Sequence, residues 1–134
     1  MITSTITYQG NLRTSAVHIQ SNNSLITDAP TDNNGKGEAF SPTDLLATSL
    51  ASCMLTIIGI VAERNKFNIT NTKAEVIKVM ASDPRRVSEI VVKFYFPKNN
   101  YSEKEKKLIE NSALSCPVAK SLHPEIKQNI EFLY

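Results

Sequence analysis

Apolar and polar residues alternate along the first part of the chain. Residues 2–8 read Ile-Thr-Ser-Thr-Ile-Thr-Tyr, and a period of two with many β-branched side chains is typical of a β-strand. Segments 12–20 and 24–27 continue the pattern, separated by stretches rich in Gly, Asn and Ser. We predict a β-meander from these segments, followed by a loop over residues 28–40, where Asn, Asp, Gly and Pro are frequent.

A run without charged residues, from Leu45 to Ala62, is the most apolar part of the chain. Ser41 is a suitable N-cap, Pro42 suits a first helical position, and Asp44 stands where a capping-box acid reaches back. We predict a helix that ends near Arg64–Lys66. The run reaches the lower length limit of a membrane span. Because serines and threonines interrupt it and its flanks resemble soluble strands, we predict a buried central helix and no membrane segment.

Two longer alternating segments, at about residues 68–81 and 87–96, follow this helix. Their even positions form one apolar face, as a hairpin that covers a core requires: Ala74, Val76, Met80, Ile90, Val92, Phe94 and Phe96. A Ser-x-x-Glu capping box at Ser102 then predicts an amphipathic helix, Pro117 starts a second helix, and residues 128–134 return as a strand. This order indicates an α+β fold rather than a doubly wound sheet.

Composition narrows the function classes. With 134 residues we expect a single domain over 1–134. The 15 Lys and Arg against 13 Asp and Glu give a net charge of +2 without a basic block, so a nucleic-acid partner is not expected. The first ten residues lack the features of a secretory signal, so we expect a cytoplasmic protein with reduced thiols.

The chain has two cysteines, and Cys53 lies inside the apolar helix. A free cysteine in such a place is most often a small core residue. Ser49 and Thr56 share its helix face, so their hydroxyls could hydrogen-bond a thiolate. Burial alone disfavours a thiolate, so a reactive Cys53 requires a nearby cation.

Cys116 stands directly before Pro117, at the predicted start of a helix. The unpaired N–H groups and the helix dipole there favour a thiolate, so local electrostatics would make Cys116 the better nucleophile. The buried setting of Cys53 would make Cys53 the more selective one, and the sequence leaves this choice open. A cap residue without redox function is equally compatible with the pattern. Neither His18 nor His123 forms a close ligand pair with a cysteine, so no zinc site or other metal is expected.

The stretches SPTDLLATSLASCMLT and SCPVAKSL together resemble the OsmC/Ohr family of thiol-dependent hydroperoxide reductases. The resemblance rests on the Ser-Pro-x-acid-Leu-Leu run before a helical cysteine, on a distant Cys-Pro, and on the order of elements, over nearly the full length. It implies an intertwined homodimer with two long central helices and active sites at the subunit interface, without a cofactor.

The resemblance also implies a mechanism. Cys53 attacks an organic hydroperoxide and becomes a sulfenic acid, Cys116 resolves it as a disulfide, and a cellular dithiol reduces that disulfide. In Ohr-type members this reductant is a lipoylated protein. Arg13 best matches the family's early-strand arginine and would be the cation that Cys53 needs. The pattern also fits an arginine that is simply exposed to solvent on a strand.

Asp44 departs from the Ohr pattern, in which the acid falls at the position of Thr43; an acid at Asp44 is similar to the OsmC-like branch. Nine helical residues span about 13 Å and end on the opposite side of the helix, so Asp44 cannot touch Cys53 within one helix. It either caps the helix or orients an arginine across the dimer. We expect a peroxidase; the alternative is a dimer of this family that binds a small hydrophobic or thiol-reactive ligand without peroxidase activity, and a purely structural dimer comes third.

Overall fold

The computed structural model describes the chain from Met1 to Tyr134. Its elements confirm the predicted α+β class. The order is β1 (Ser4–Gly10), β2 (Arg13–His18), β3 (Ser24–Asp28), α1 (Pro42–Arg64), β4 (Lys73–Ala81), β5 (Arg86–Tyr95), α2 (Glu103–Leu114), α3 (Pro117–Ser121) and β6 (Lys127–Leu133). The chain divides into two compact units, Met1–Leu46 and Ala47–Tyr134. The single domain over 1–134 stays a prediction.

The first unit contains the predicted β-meander, an antiparallel sheet in the order β1-β2-β3. Ile6, Ala16 and Leu25 stand side by side across it. The register shifts between Tyr8 and Gly10. Gly10 there has a φ of 82°, a conformation that glycine adopts without strain, so the chain can turn tightly into β2.

Apolar side chains of the first unit stay largely in solvent. Ile2, Ile6 and Tyr8 are between 63% and 66% exposed, and Leu25, Ile26 and Phe40 are exposed as well. The buried residues of this unit are all polar: Thr27, Asp28 and Ser41. Its sheet therefore lacks a buried apolar core within one chain.

Helix α1 begins as predicted. The Ser41 hydroxyl accepts from the backbone N–H of Asp44 at 3.1 Å, and the Asp44 carboxylate accepts from the N–H of Ser41 at 3.0 Å. The helix ends at Arg64, where Phe67 N–H donates to the Ala62 carbonyl at 3.0 Å. By length and composition it could cross a membrane, but a core helix of a soluble protein passes the same test.

The second unit is built around one face of α1. Leu50, Met54 and Ile58 of this helix have no exposed surface. They belong to one apolar cluster with the inward face of the second sheet and with α2, including Ile90, Val92, Phe94, Phe96, Ile109 and Ala113. Ile60 remains 40% exposed, so the helix is apolar on more sides than one chain covers.

The second sheet has the order β4-β5-β6, with β4 antiparallel and β6 parallel to β5. The even positions of the predicted hairpin do form its core-facing side. Strand β4 begins at Lys73, later than predicted, because Asn68–Thr72 form a turn in which Asn68 Oδ1 accepts from the N–H of Thr70 at 2.7 Å. Asn and Thr side chains that bond nearby backbone compete with a strand ladder.

Two helices connect β5 to β6. Ser102 caps α2 with the predicted box, in which its hydroxyl accepts from Glu105 N–H at 3.1 Å and the Glu105 carboxylate accepts from Ser102 N–H at 2.9 Å. Cys116 is the N-cap of α3, which has Pro117 at its first position. The α3 helix therefore places one of the two thiols at its start.

Candidate active site

The two cysteines lie together in the second unit. Cys53 is half-buried on α1, and Cys116 is fully buried at the start of α3. Both belong to the apolar core cluster, and both are free thiols. Cys53 lies close enough to Cys116 to raise the pKa of its thiol. Folding thus brings together two thiols that are far apart in the sequence.

The protonation of Cys116 follows from its surroundings. Burial raises the pKa of the Cys116 thiol above its ordinary value, and the backbone N–H groups of Ala119 and Val118 oppose this effect. The N–H of Ala119 donates to Cys116 Sγ at 3.3 Å. A hydrogen bond with Cys53 and the negative charge of a Cys53 thiolate raise the pKa of Cys116 further.

The local effect that favours a Cys116 thiolate is present, but it is not the largest influence on this group. Burial exceeds the effect of the N–H groups at the predicted N-cap and raises the pKa of Cys116, so this thiol is harder to deprotonate than an ordinary cysteine. A protonated thiol beside Cys53 can donate a hydrogen bond to a thiolate there. This S–H is a partner for Cys53 that the sequence pattern did not indicate.

Thr56 was expected to support a Cys53 thiolate through its hydroxyl. Instead, Thr56 Oγ1 donates to the carbonyl of Ser52 at 2.9 Å. Its single proton is used within the helix, as is common for threonine in helices.

Arg13 lies at the end of the first sheet beside Asp28, its partner in the strand register. Its Nε donates to Asp28 Oδ1 at 2.7 Å and a terminal nitrogen donates to Oδ2 at 2.8 Å, a bidentate pair. Glu38 lies 3.6 Å from the same guanidinium, and its backbone N–H donates to Asp28 at 3.2 Å. The guanidinium of Arg13 is therefore fixed in place by acidic partners within the first unit and is not a free surface charge.

Asp28 is the residue that the sequence reasoning missed. It was assigned to the loop, yet it ends β3 and is 1% exposed. The hydrogen bonds from Arg13 hold the pKa of Asp28 below its ordinary value, and Asp28 in turn raises the pKa of Arg13. An acid at a strand end, in register with an arginine on the neighbouring strand, is a signal that could have identified it.

Asp44 acts in the capping box of α1, which confirms the predicted cap. Its role in orienting an arginine across a dimer stays a prediction. The two histidines make local contacts: His18 Nδ1 with Ser21 Oγ at 2.6 Å, and His123 Nδ1 with the N–H of Glu125 at 3.1 Å. No three His, Cys, Asp or Glu side chains are grouped so that they could hold a metal ion.

Known structures share this fold over nearly the whole chain. A protein from Psychrobacter arcticus 273-4, described provisionally as an osmotic stress induced and detoxification response protein, is 63% identical, with a TM-score of 0.95 over 98% of this chain and 96% of that chain. The organic hydroperoxide resistance protein OsmC from Legionella pneumophila is 15% identical, with a TM-score of 0.77 over 100% and 98%. The organic hydroperoxide resistance protein OhrB of Bacillus subtilis is 19% identical, with a TM-score of 0.67 over 98% of each chain.

Sequence comparison gives the same assignment. A search of curated proteins gives no significant match. The family model described as OsmC-like protein matches residues 35–131, a range that includes α1 and both cysteines. The predicted resemblance is confirmed, and the chain belongs to the OsmC-like protein family.

Proposed function

We propose that this protein is a thiol-dependent peroxidase that reduces organic hydroperoxides in defence against oxidative stress. The observation that carries the proposal is the pairing of Cys53 with Cys116 in one apolar core as two free thiols. Distant relatives with this fold are named organic hydroperoxide resistance proteins, which supports the same substrate class.

In the first step the Cys53 thiolate attacks the O–O bond of the hydroperoxide. An S–O bond forms, the O–O bond breaks, and the released alkoxide takes a proton and leaves as alcohol. Cys53 is then a sulfenic acid. The S–H of Cys116 supports this step because it can donate a hydrogen bond to the attacking sulfur.

In the second step Cys116 resolves the sulfenic acid. Its sulfur attacks the sulfur of Cys53, the S–O bond breaks, and the hydroxyl leaves as water with the thiol proton of Cys116. The raised pKa of Cys116 suits this order of events, since Cys116 stays protonated until Cys53 has been oxidised.

In the third step a dithiol restores both cysteines. One thiolate of the dithiol attacks the protein disulfide, forms a mixed disulfide and releases the first protein cysteine as a thiolate. The second thiol of the dithiol then attacks the mixed disulfide and closes an internal disulfide, which releases the other protein cysteine, so two electrons pass from the dithiol to the protein. A lipoylated protein is one candidate for this dithiol. No metal or cofactor takes part in any of the three steps.

The apolar surroundings favour organic hydroperoxides as substrates. Cys53 is half-buried next to core residues, and Leu55 and Ile57 on the same helix also pack against that core. An alkyl group would gain by contact with such a wall, whereas hydrogen peroxide has no alkyl group to place there.

We further propose that the active protein is a homodimer in which Arg13 acts on the thiolate. The exposed apolar residues Ile2, Ile6 and Tyr8 of the first unit and Ile60 of α1 are the kind of surface that a second copy would cover. Arg13 is suited to its role because Asp28 and Glu38 hold its guanidinium in place. A monomer in sedimentation at micromolar concentration would contradict the dimer.

The test of the peroxidase proposal follows the oxidation states of the two thiols. The reduced protein is mixed with one equivalent of cumene hydroperoxide, and its cysteines are mapped by mass spectrometry beside a Cys116→Ser variant. We expect a rapid disulfide in the native chain and a sulfenic acid on Cys53 in the variant. If both thiols stay reduced for minutes in excess peroxide, the proposal fails and a ligand-binding role takes its place.

A further inference from the structure

Gln128 is a polar residue at a position where β6 otherwise carries apolar side chains. Gln128, Ile130 and Phe132 are the half-buried residues of this strand and alternate with exposed ones. In the strand register Gln128 lies beside Ile90, which is fully buried. A side-chain amide facing an apolar core is destabilising unless it is hydrogen-bonded, so its partner is informative.

That partner is in helix α3. Gln128 Nε2 donates to the carbonyl of Ala119 at 3.0 Å. Three other carbonyls at α3 and its N-cap bond within the helix and its end: Cys116 O with Lys120 N at 3.2 Å, Val118 O with Leu122 N at 3.2 Å, and Pro117 O with Ser121 Oγ at 2.8 Å. The Gln128 amide therefore connects α3 to the second sheet.

This connection reaches the thiol site through one residue. Ala119 accepts from Gln128 with its carbonyl and donates to Cys116 Sγ with its N–H at 3.3 Å. Helix α3 is only five residues long, far too short to be stable by itself. The place of the Cys116 sulfur beside Cys53 thus depends on how firmly α3 is held.

We propose that Gln128 is a positioning residue for the resolution step, in which the Cys116 sulfur attacks the oxidised Cys53. The inference rests on the proposed peroxidase function and adds a residue outside the two thiols and Arg13. In that step the S–S bond forms, the S–O bond of the sulfenic acid breaks, and water leaves. The bond requires the sulfurs to approach to about 2.05 Å, and a catalytic group misplaced by about 1 Å can react up to 10²-fold more slowly.

The experiment separates the two oxidation steps in one sample. Native protein and Gln128→Met, which keeps side-chain length but lacks the amide, are mixed with cumene hydroperoxide and quenched rapidly for mass spectrometry. We expect loss of the Cys53 thiol at the native rate and a disulfide that forms about tenfold more slowly, within the range known for misplaced groups. Sulfinic acid on Cys53 should accumulate in excess peroxide, since the sulfenic acid lives longer.

Two further variants test whether the effect comes from the side-chain amide of Gln128. Asn129→Ala changes the next residue of β6, which is exposed and bonds Glu89 at 3.4 Å, and it should behave as the native protein. Gln128→Glu keeps the shape but its carboxylate cannot donate, so it should also resolve slowly. Native disulfide rates in both folded Gln128 variants would overturn the proposal.

Diamide distinguishes this proposal from the peroxidase function. It oxidises thiol pairs without peroxide: one thiolate adds to its N=N bond, and the second thiol displaces the hydrazine as the disulfide forms. If Cys53 of the native protein does not react with peroxide, the proposal of a peroxidase function is refuted. A slower diamide-driven disulfide in Gln128→Met would still support the positioning of Cys116, and an unchanged one would refute it.

Discussion

The two units of this chain bury opposite kinds of residue. In Met1–Leu46 the buried side chains are polar, with Asp28 held by Arg13, while large apolar residues such as Ile6 remain exposed. In Ala47–Tyr134 an apolar cluster around α1 is closed and contains both thiols. The second unit thus has its own hydrophobic driving force for folding, and the first offers apolar surface that a single chain does not cover.

The strongest test of this contrast is a pair of isoleucine truncations. Ile58→Ala in the second unit, where Ile58 has no exposed surface, should lower the free energy of unfolding by about 2–5 kcal/mol. Ile6→Ala in the first unit, where Ile6 is 63% exposed, should change it by less than about 0.5 kcal/mol in the monomeric chain. Urea unfolding at low protein concentration measures both. A large cost for Ile6→Ala would show that another surface covers the first sheet.

The polar cluster of the first unit should appear in the pH dependence of stability. Because the pKa of Asp28 is lowered by Arg13, its contribution is present above the ordinary aspartate pKa and is lost as the pH falls through the lower folded value. Asp28→Asn should reduce the melting temperature at neutral pH and flatten its decline on acidification. Glu38→Gln is the matched control, since Glu38 is exposed. Parallel melting curves for native protein and Asp28→Asn across this range would contradict the assignment.

The thiol pair of the second unit should appear in the reactivity of Cys116. Cys53→Ala removes a hydrogen bond and a charge that both raise the pKa of Cys116, so the pKa of Cys116 should fall, though burial still holds it up. The pH profile of iodoacetamide labelling at Cys116, read by mass spectrometry, measures the change. Ser52→Ala, an exposed neighbour, should leave the profile unchanged. An unshifted profile in Cys53→Ala would mean that the two thiols do not interact.

Smaller effects than that of Ile58→Ala are expected at the two capping boxes. Ser41→Ala and Ser102→Ala each remove a cap, at a cost of about 0.5–2 kcal/mol. Ser41 is 1% exposed whereas Ser102 is exposed, so the loss at Ser41 should be the larger of the two. Thermal unfolding of both variants provides the comparison, and a larger loss at Ser102 would contradict it.

The secondary structure was predictable wherever its cause was local. The boxes at Ser41 and Ser102 depend on residues three positions apart, and both were correctly predicted. The start of β4 was placed too early because the Asn68–Thr72 turn interrupts a stretch that alternates like a strand. A hydrogen bond from a side chain to the nearby backbone sets the start of such a strand, and the alternation of apolar residues does not reveal this bond.

The candidate site was predictable in its residues and less so in their chemistry. Cys53 and Cys116 were identified from the motifs around them, but the sequence left open which effect decides the pKa of Cys116, because burial depends on everything packed around the sulfur. Asp28 and Gln128 were not identified, since the role of each depends on a hydrogen-bond partner in another secondary-structure element.

The sequence by itself determined the strand and helix periods, the helix starts and the family, because these depend on neighbours within a few residues or on short motifs. Only the tertiary structure decided that the two thiols meet, that Cys116 is fully buried, and that Arg13 is held by Asp28. The physical reason is that contact between distant residues and removal from water are set by packing of the whole core, which no local pattern encodes.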